Sequence, residues 1–184
     1  MRMLRFVVLS LFLVAISVNA QSLKLNTITA KGGVIMPESP WDTGFLVGAE
    51  ADMGEVFNGF VLVPLVTYWS TGYTYSGTTF DLSLSNIQLG ADVHYSLDNV
   101  APGLYAGGGL AFNFLTSEYP VFNYTTFQFD QTGSDTETKL GFAVLAGYNL
   151  KLGNMAGVVQ GRYNIVDGFD TLELTLGILF DMAK

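Results

Sequence analysis

The sequence predicts an all-β fold, an eight-stranded antiparallel up-and-down transmembrane β-barrel, and three observations support this prediction. Apolar and polar residues alternate along eight segments, which is the pattern of strands with one face in an apolar environment. Only 13% of the 184 residues are charged, whereas an average soluble domain has about 25%. The segments are about ten to thirteen residues long, close to the roughly nine to eleven tilted residues that cross a bilayer.

Residues 1–20 are predicted to be a secretory signal peptide. Arg2 and Arg5 form a basic start, "FVVLSLFLVAISV" is a continuous apolar run, and "VNA" supplies the small residues of a cleavage site. An N-terminal membrane anchor is the alternative, although the run is short for a membrane helix. Cleavage removes two of the eight basic residues and leaves a barrel domain over 21–184 with a net charge of −10.

The eight segments are defined by their alternation. In "TLELTLGILF", for example, large apolar residues occupy every second position from Leu172 to Phe180. Strands are predicted at about 22–36, 43–53, 59–69, 82–95, 103–115, 137–149, 155–165 and 169–181. Both faces of 59–69 are apolar, so its orientation stays open. A bulge or break is expected at Pro64, because proline cannot donate to the ladder.

The connections between these segments alternate in length. Two of them, 70–81 and 116–136, are long and rich in Thr, Ser, Tyr and Asp, and they are predicted to be mobile outer loops. Three connections on the opposite side are short: 54–58, 96–102 and 150–154. Short turns at one end and long loops at the other are typical of outer-membrane barrels, in which both chain termini are expected in the periplasm.

The stretch "YAGGGLAFNF", residues 105–114, has two interpretations. Three consecutive glycines suggest a phosphate-binding loop, but Phe112 occupies the position of the third glycine of the dinucleotide motif and no helix follows. Leu110, Phe112 and Phe114 alternate with small and polar residues. The stretch is therefore predicted to be a strand whose inner-face glycines leave room for neighbouring side chains.

Aromatic residues are predicted to form two girdles at the membrane interfaces. The outer girdle comprises Phe45, Tyr68, Trp69, Phe112, Phe114, Phe142, Tyr163 and Phe169. The periplasmic girdle comprises Phe57, Phe60, Tyr95, Tyr105, Tyr148 and Phe180. A further aromatic set in or beside the outer loops either forms a receptor-like surface or extends the outer girdle: Trp41, Tyr73, Tyr75, Tyr119, Phe122 and Tyr124.

With its signal peptide, eight strands, the "GLYAGGGLAFNF" strand and the "LTLGILF" end, the chain resembles the small eight-stranded outer-membrane barrels of the OmpA/OmpX/opacity-protein type. The resemblance covers nearly all of the chain after residue 20 and implies architecture, not activity. Such chains usually finish on an aromatic residue, whereas Phe180 is followed here by "DMAK". The resemblance implies outer-membrane localisation in a Gram-negative-type envelope.

The sequence predicts no catalytic, cofactor-binding or metal site. Without cysteine, disulfides, zinc–thiolate sites and cysteine nucleophiles are excluded. His94 is the only histidine, and a hydrogen-bonded lumenal role is favoured over an acid–base role of the kind found in outer-membrane lipid A deacylases. The acidic segment 130–138 lacks the spacing of a calcium loop and is expected to be solvated.

Charged and polar residues opposite the lipid face are predicted to form a lumenal polar network. Arg162 is expected to point inward, because a basic residue facing lipid near the midplane costs about 2–4 kcal/mol. If Asn164 pairs with Phe169, Arg162 reaches Glu173 diagonally, and the two are predicted to form an ion pair. The network comprises Glu50, Asp52, Asp92, His94, Gln160, Arg162 and Glu173.

Two function classes remain. The first is a non-enzymatic structural or surface-interaction barrel whose lumen is plugged by polar side chains, because an eight-stranded interior is normally filled. The second is a narrow channel or transporter for ions or small apolar solutes. The expected partners are outer-membrane lipid and an extracellular ligand at 70–81 and 116–136, with the protein as a monomer. No nucleic-acid partner is expected, because the basic residues form no cluster.

Overall fold

The computed structural model describes residues 23–74, 81–123, 128–153 and 155–182. The predicted signal peptide lies outside the described residues. No helix within these ranges is long and apolar enough to cross a membrane. The strands of the described chain are β1 (Thr27–Pro37), β2 (Gly44–Asp52), β3 (Glu55–Phe57), β4 (Phe60–Thr74), β5 (Asp81–Ser96), β6 (Leu104–Asn123), β7 (Gln128–Leu152), β8 (Met155–Val166) and β9 (Thr171–Asp181).

The eight long strands form a closed antiparallel barrel, which confirms the predicted fold class. Strands that are neighbours in the chain pair with each other, and β1 pairs with β9 from Thr27↔Asp181 to Pro37↔Thr171. β2 pairs directly with β4, so the three-residue β3 only extends the hairpin between them. That hairpin turns at Asn58 and Gly59, which both have positive φ, as a type I′ hairpin turn requires.

The two ends of the barrel differ. The terminus end holds the start of β1, the end of β9 and the short turns, including 97–103. The loop end holds the connections β1–β2, β4–β5, β6–β7 and β8–β9. There the β6–β7 hairpin continues beyond β8 as a ribbon, with which β5 pairs as far as Ser83↔Glu118. β7 pairs with β8 only from Gly141↔Val166 onward.

The connections predicted at 70–81 and 116–136 are shorter than expected, because strands occupy most of both ranges. β4 continues to Thr74, β5 begins at Asp81, and the β6–β7 ladder runs without a register shift from Leu104↔Tyr148 to Val121↔Gln131. Thr and Tyr favour strands, and a ribbon in water can be polar on both faces, so polar composition alone did not separate ribbon from loop. Residues 75–80 and 124–127 lie outside the described residues.

The glycine-rich stretch is a regular part of β6, as predicted. Gly109 lies opposite Asp92 of β5, and a methyl group on Gly109 would overlap Asp92 Oδ1. A methyl group on Gly107 would overlap the carbonyl oxygen of Val93. The glycines therefore allow β6 to pass close to β5 and leave space for a charged side chain inside the barrel.

The orientation of β4, which the sequence left open, is clear from burial. Val63, Leu65 and Trp69 are buried inside, whereas Val66 and Tyr68 are exposed. The ladder to β5 passes Pro64 without a shift, while the regular pairs with β2 end at Glu50↔Leu65. The expected break at Pro64 thus occurs on one side of the strand, where the missing N–H interrupts the ladder.

An apolar belt covers the outside of the barrel. On β9, Leu172, Leu174, Leu176, Ile178 and Phe180 are exposed, and Leu176 is 66% exposed. Most girdle aromatics are also exposed. Three aromatic residues that were predicted to belong to the girdles do not lie on the outer surface. They occupy inward-facing positions or pack against the interior: Trp69, Tyr105 and Phe169.

Candidate functional site

The barrel interior is the candidate site, and its loop-end part is apolar. Ile35, Leu46, Trp69, Leu84 and Leu115 form a buried cluster, and Trp41 and Phe169 pack against it. Phe169 stacks on Trp69 with ring centroids 5.5 Å apart. Trp41 meets Phe169 edge-on at 6.4 Å. We call this group the apolar cap.

The middle of the barrel is polar. Thr, Asn and Gln side chains alternate along the inner faces of neighbouring strands and are buried among charged ones. Gln88 is central to them: its amide oxygen accepts from Thr67 at 3.0 Å, and its amide nitrogen donates to Asn113 and Asn164, both at 3.3 Å. These bonds cross the interior between β5, β6 and β8 and satisfy polar groups that would otherwise be buried without partners.

Two buried ion pairs lie next to these amides. Lys31 Nζ of β1 donates to Glu50 Oε2 at 2.9 Å and to Gln160 Oε1 at 3.0 Å. Arg162 Nη1 of β8 bonds to Asp92 Oδ2 of β5. Arg162 Nε also donates to Asn164 Oδ1 at 2.7 Å. Both cations are almost fully buried, and each is paired with a carboxylate that offsets part of the cost of its desolvation.

The predicted ion pair between Arg162 and Glu173 was wrong. Asn164 pairs with Thr171, and Arg162 lies directly opposite Glu173, so the register differs by two residues from the predicted one. The turn sets this register, because the Asp170 carboxylate accepts from the backbone N–H of Val166 at 3.1 Å. Arg162 bonds to Asp92 instead, and Glu173 Oε1 accepts from Asn164 Nδ2 at 2.7 Å.

The remaining predicted network residues lie toward the terminus end. The His94 ring stacks on Tyr105 with centroids 4.7 Å apart, and its Nε2 lies 3.9 Å from Asp92 Oδ2. Asp52 does not join the ion pairs, because its Oδ1 accepts from Asn26 Nδ2 at 3.1 Å and from the N–H of Gly54 at 2.7 Å. Among the described residues, no group of His, Asp and Glu is arranged to hold a metal ion.

A cavity lies at each end of the barrel. The terminus-end cavity has a volume of about 160 Å³, and His94, Tyr105 and Glu50 are among its lining residues. Asp98 also borders it from the turn, where hydrogen bonds from the Gly103 N–H and the Ser96 hydroxyl lower the pKa of its carboxyl. The loop-end cavity has a volume of about 200 Å³ and opens above the apolar cap.

Sequence reasoning missed Lys31, which holds Glu50 and Gln160 together. The signal was present, because Lys31 shares the inner face of β1 with Thr29 and Ile35, which are both buried. It also missed Asn164, which bonds to Arg162, Glu173 and Gln88. The alternation of β8 places Asn164 on the same face as Arg162, so the residue could have been found in the same way.

No protein-family model matches the chain, and no curated protein sequence matches it. Solved structures do. Ail, the attachment invasion locus protein of Yersinia pestis, solved in complex with the heparin analogue sucrose octasulfate, has a TM-score of 0.57 and 14% identity. The match covers 85% of this chain and 100% of that chain. Neisserial surface protein A has a TM-score of 0.55 and 16% identity over 85% of this chain and 96% of that chain.

These similarities concern the backbone, since the identities are low. They agree with the closed β1–β9 ladder, the alternating burial and the apolar belt. The chain therefore has the fold of the small eight-stranded outer-membrane β-barrels.

Proposed function

We propose that the protein is an outer-membrane barrel with a structural or surface-interaction role, formed by residues 21–184 after removal of a signal peptide at 1–20. The main support for this proposal is the apolar belt on the outside of the barrel. Soluble monomers rarely expose contiguous apolar surface beyond a few hundred Å², whereas a closed barrel with such a belt satisfies its backbone in lipid. Outer-membrane lipid is then the principal partner, and the barrel acts as a monomer.

We further propose that the lumen is closed. The apolar cap and the two ion pairs fill successive levels of the interior, and Trp69, Arg162 and Asp92 are each at most 2% exposed. A closed lumen favours the structural role over the narrow channel. The position of His94, toward the terminus end and stacked on Tyr105, favours a non-enzymatic barrel.

Single-channel recording tests the closed lumen. Refolded protein, checked by the different gel mobility of unheated and boiled samples, is added to a planar bilayer. We expect no unitary current steps, because the buried side chains of the apolar cap and the ion pairs fill the interior. Reproducible steps from the folded fraction would contradict closure and favour the channel.

Single-cysteine labelling tests the orientation, in which both termini are periplasmic. The natural chain has no cysteine, so labelling has no background. Thr136→Cys on the loop-end ribbon is expected to react with a membrane-impermeant maleimide on intact cells. Val100→Cys, 71% exposed at the terminus end, is expected to react only after cell disruption. The reverse pattern would mean that the barrel is inverted.

A surface role requires a ligand that suits the charge of the loop end. The described side chains there include seven acids and one base: Glu38, Asp42, Glu118, Asp135, Glu137, Asp167, Asp170 and Lys139. Ail was solved with a polyanionic heparin analogue. The acidic loop end of this chain would repel such a ligand, so we propose that its extracellular partner is not a polyanion.

A further inference from the structure

The loop-end cavity, which we call the loop-end cup, has an aromatic floor. Trp41 and Phe169 line it, and Leu115 contributes from β6. Phe169 is supported from beneath by Trp69, and Trp41 meets it edge-on. Because these rings pack against a buried cluster, they present a fixed surface rather than a collapsible one.

The rim of the cup is acidic. Asp135 and Glu137 of β7 both line it, opposite Ser117 and Leu115 in the β6–β7 ladder. Strand alternation directs these acids toward the cup, whereas Thr136 between them faces away. The carboxylates of Asp135 and Glu137 therefore line the same cavity as the aromatic rings of its floor.

One cation of the chain already lies at this rim. Lys139 Nζ contacts Glu137 Oε2 at 3.1 Å and donates to the carbonyl oxygen of Asp167 at 3.1 Å. No basic residue pairs with Asp135 among the described residues. The rim therefore keeps a net negative charge, within a loop end whose described side chains are already strongly acidic.

We infer that the loop-end cup binds a small organic cation, an ammonium group on an apolar stem. The aromatic faces of Trp41 and Phe169 attract a cation and cover its apolar part, and Asp135 supplies the opposite charge. A metal ion fits less well, because calcium needs six to eight oxygen ligands and an aromatic floor provides none. The inference names a ligand class for the proposed surface role. It rests on that proposed role only in requiring that the cup faces the outside of the cell.

Tryptophan fluorescence of the purified protein tests this inference independently of orientation. Both tryptophans of the chain report on the site, since Trp41 lines the cup and Trp69 stacks beneath it. The protein is folded in a maltoside detergent, because phosphocholine detergents would themselves present the cation. Choline is the probe, and its uncharged carbon isostere dimethylbutanol is the matched control.

We expect choline to change the emission saturably and the isostere to have no saturable effect. Asp135→Asn should weaken choline binding by about tenfold or more, because it removes the negative charge that attracts the trimethylammonium group. Glu118→Gln is the matched control: it removes the same charge one residue from Ser117, on the opposite face of the ribbon, and should leave binding unchanged.

Several outcomes would overturn the inference. Absence of saturation by choline would do so, as would equal binding of the isostere, which would indicate a purely apolar pocket. Equal weakening by Asp135→Asn and Glu118→Gln would indicate general attraction to an acidic surface. Both variants replace exposed side chains, and the gel-mobility shift confirms that each is folded.

Discussion

Replacing Arg162 with methionine is expected to lower the free energy of unfolding by about 3–5 kcal/mol, because the change leaves the carboxylate of Asp92 buried without its cation. Asp92 is fully buried and Arg162 is 2% exposed, so water cannot take over the lost bond without opening the barrel. Asn164 Oδ1 also loses the closer of its two donors, Arg162 Nε, and keeps only Gln88 Nε2. Urea unfolding of the protein refolded into lipid vesicles, followed by fluorescence, measures the loss.

Double variants test which carboxylate pairs with Arg162. Asp92→Asn added to Arg162→Met should restore part of the stability, because it removes the unpaired charge. Glu173→Gln in the same background should restore less, since Glu173 bonds to Asn164. Strictly additive losses for the Arg162–Asp92 pair would mean that the two side chains are not coupled.

Replacing Trp69 with alanine is expected to cost about 3–5 kcal/mol, the usual loss for a large buried aromatic side chain. Trp69 is 2% exposed and forms the centre of the apolar cap. Its removal also takes away the ring on which Phe169 stacks, so the β8–β9 turn should loosen with it. The unfolding midpoint in the same vesicle assay measures the effect.

Tyr68→Ala is the matched control for Trp69→Ala. Tyr68 is the preceding residue of the same strand but is 40% exposed on the outer face. Its truncation should cost clearly less, because it leaves no internal cavity. Equal losses at the two positions would contradict a packed interior at the loop end. Trp69→Phe should fall between wild type and Trp69→Ala.

Alternation made most of the fold predictable. A period of two places Leu174 and Leu176 outside and Glu173 inside regardless of which strand is the neighbour. The lengths of β6 and β7 were not predictable in this way, because the apolar signal ends at the membrane boundary while pairing continues. Thr116 and Thr136, for example, remain 3.0 Å apart through their hydroxyl oxygens in the ribbon.

The interior contacts were harder to predict than the strand faces. Which side chains face inward follows from each strand alone, but their partners depend on registers that the turns set. The β8–β9 turn placed Arg162 opposite Glu173. The bond to Asp92 then depends on where β5 lies across the interior, at a sequence separation of 70 residues. No local pattern in the sequence encodes that distance.

The β1–β9 ladder has a consequence for the order in which the barrel is assembled. Every other ladder joins strands that are close in the chain and can form as a local hairpin, whereas this one joins Thr27 to Asp181. Closing so long a loop costs more entropy than closing any one of the hairpins. Until it closes, β1 and β9 each leave a row of unpaired N–H and C=O groups, which hydrocarbon does not tolerate. We therefore expect membrane insertion and formation of the β1–β9 ladder to be one cooperative event. A truncated chain that lacks β9 should not form a stable, partly inserted barrel.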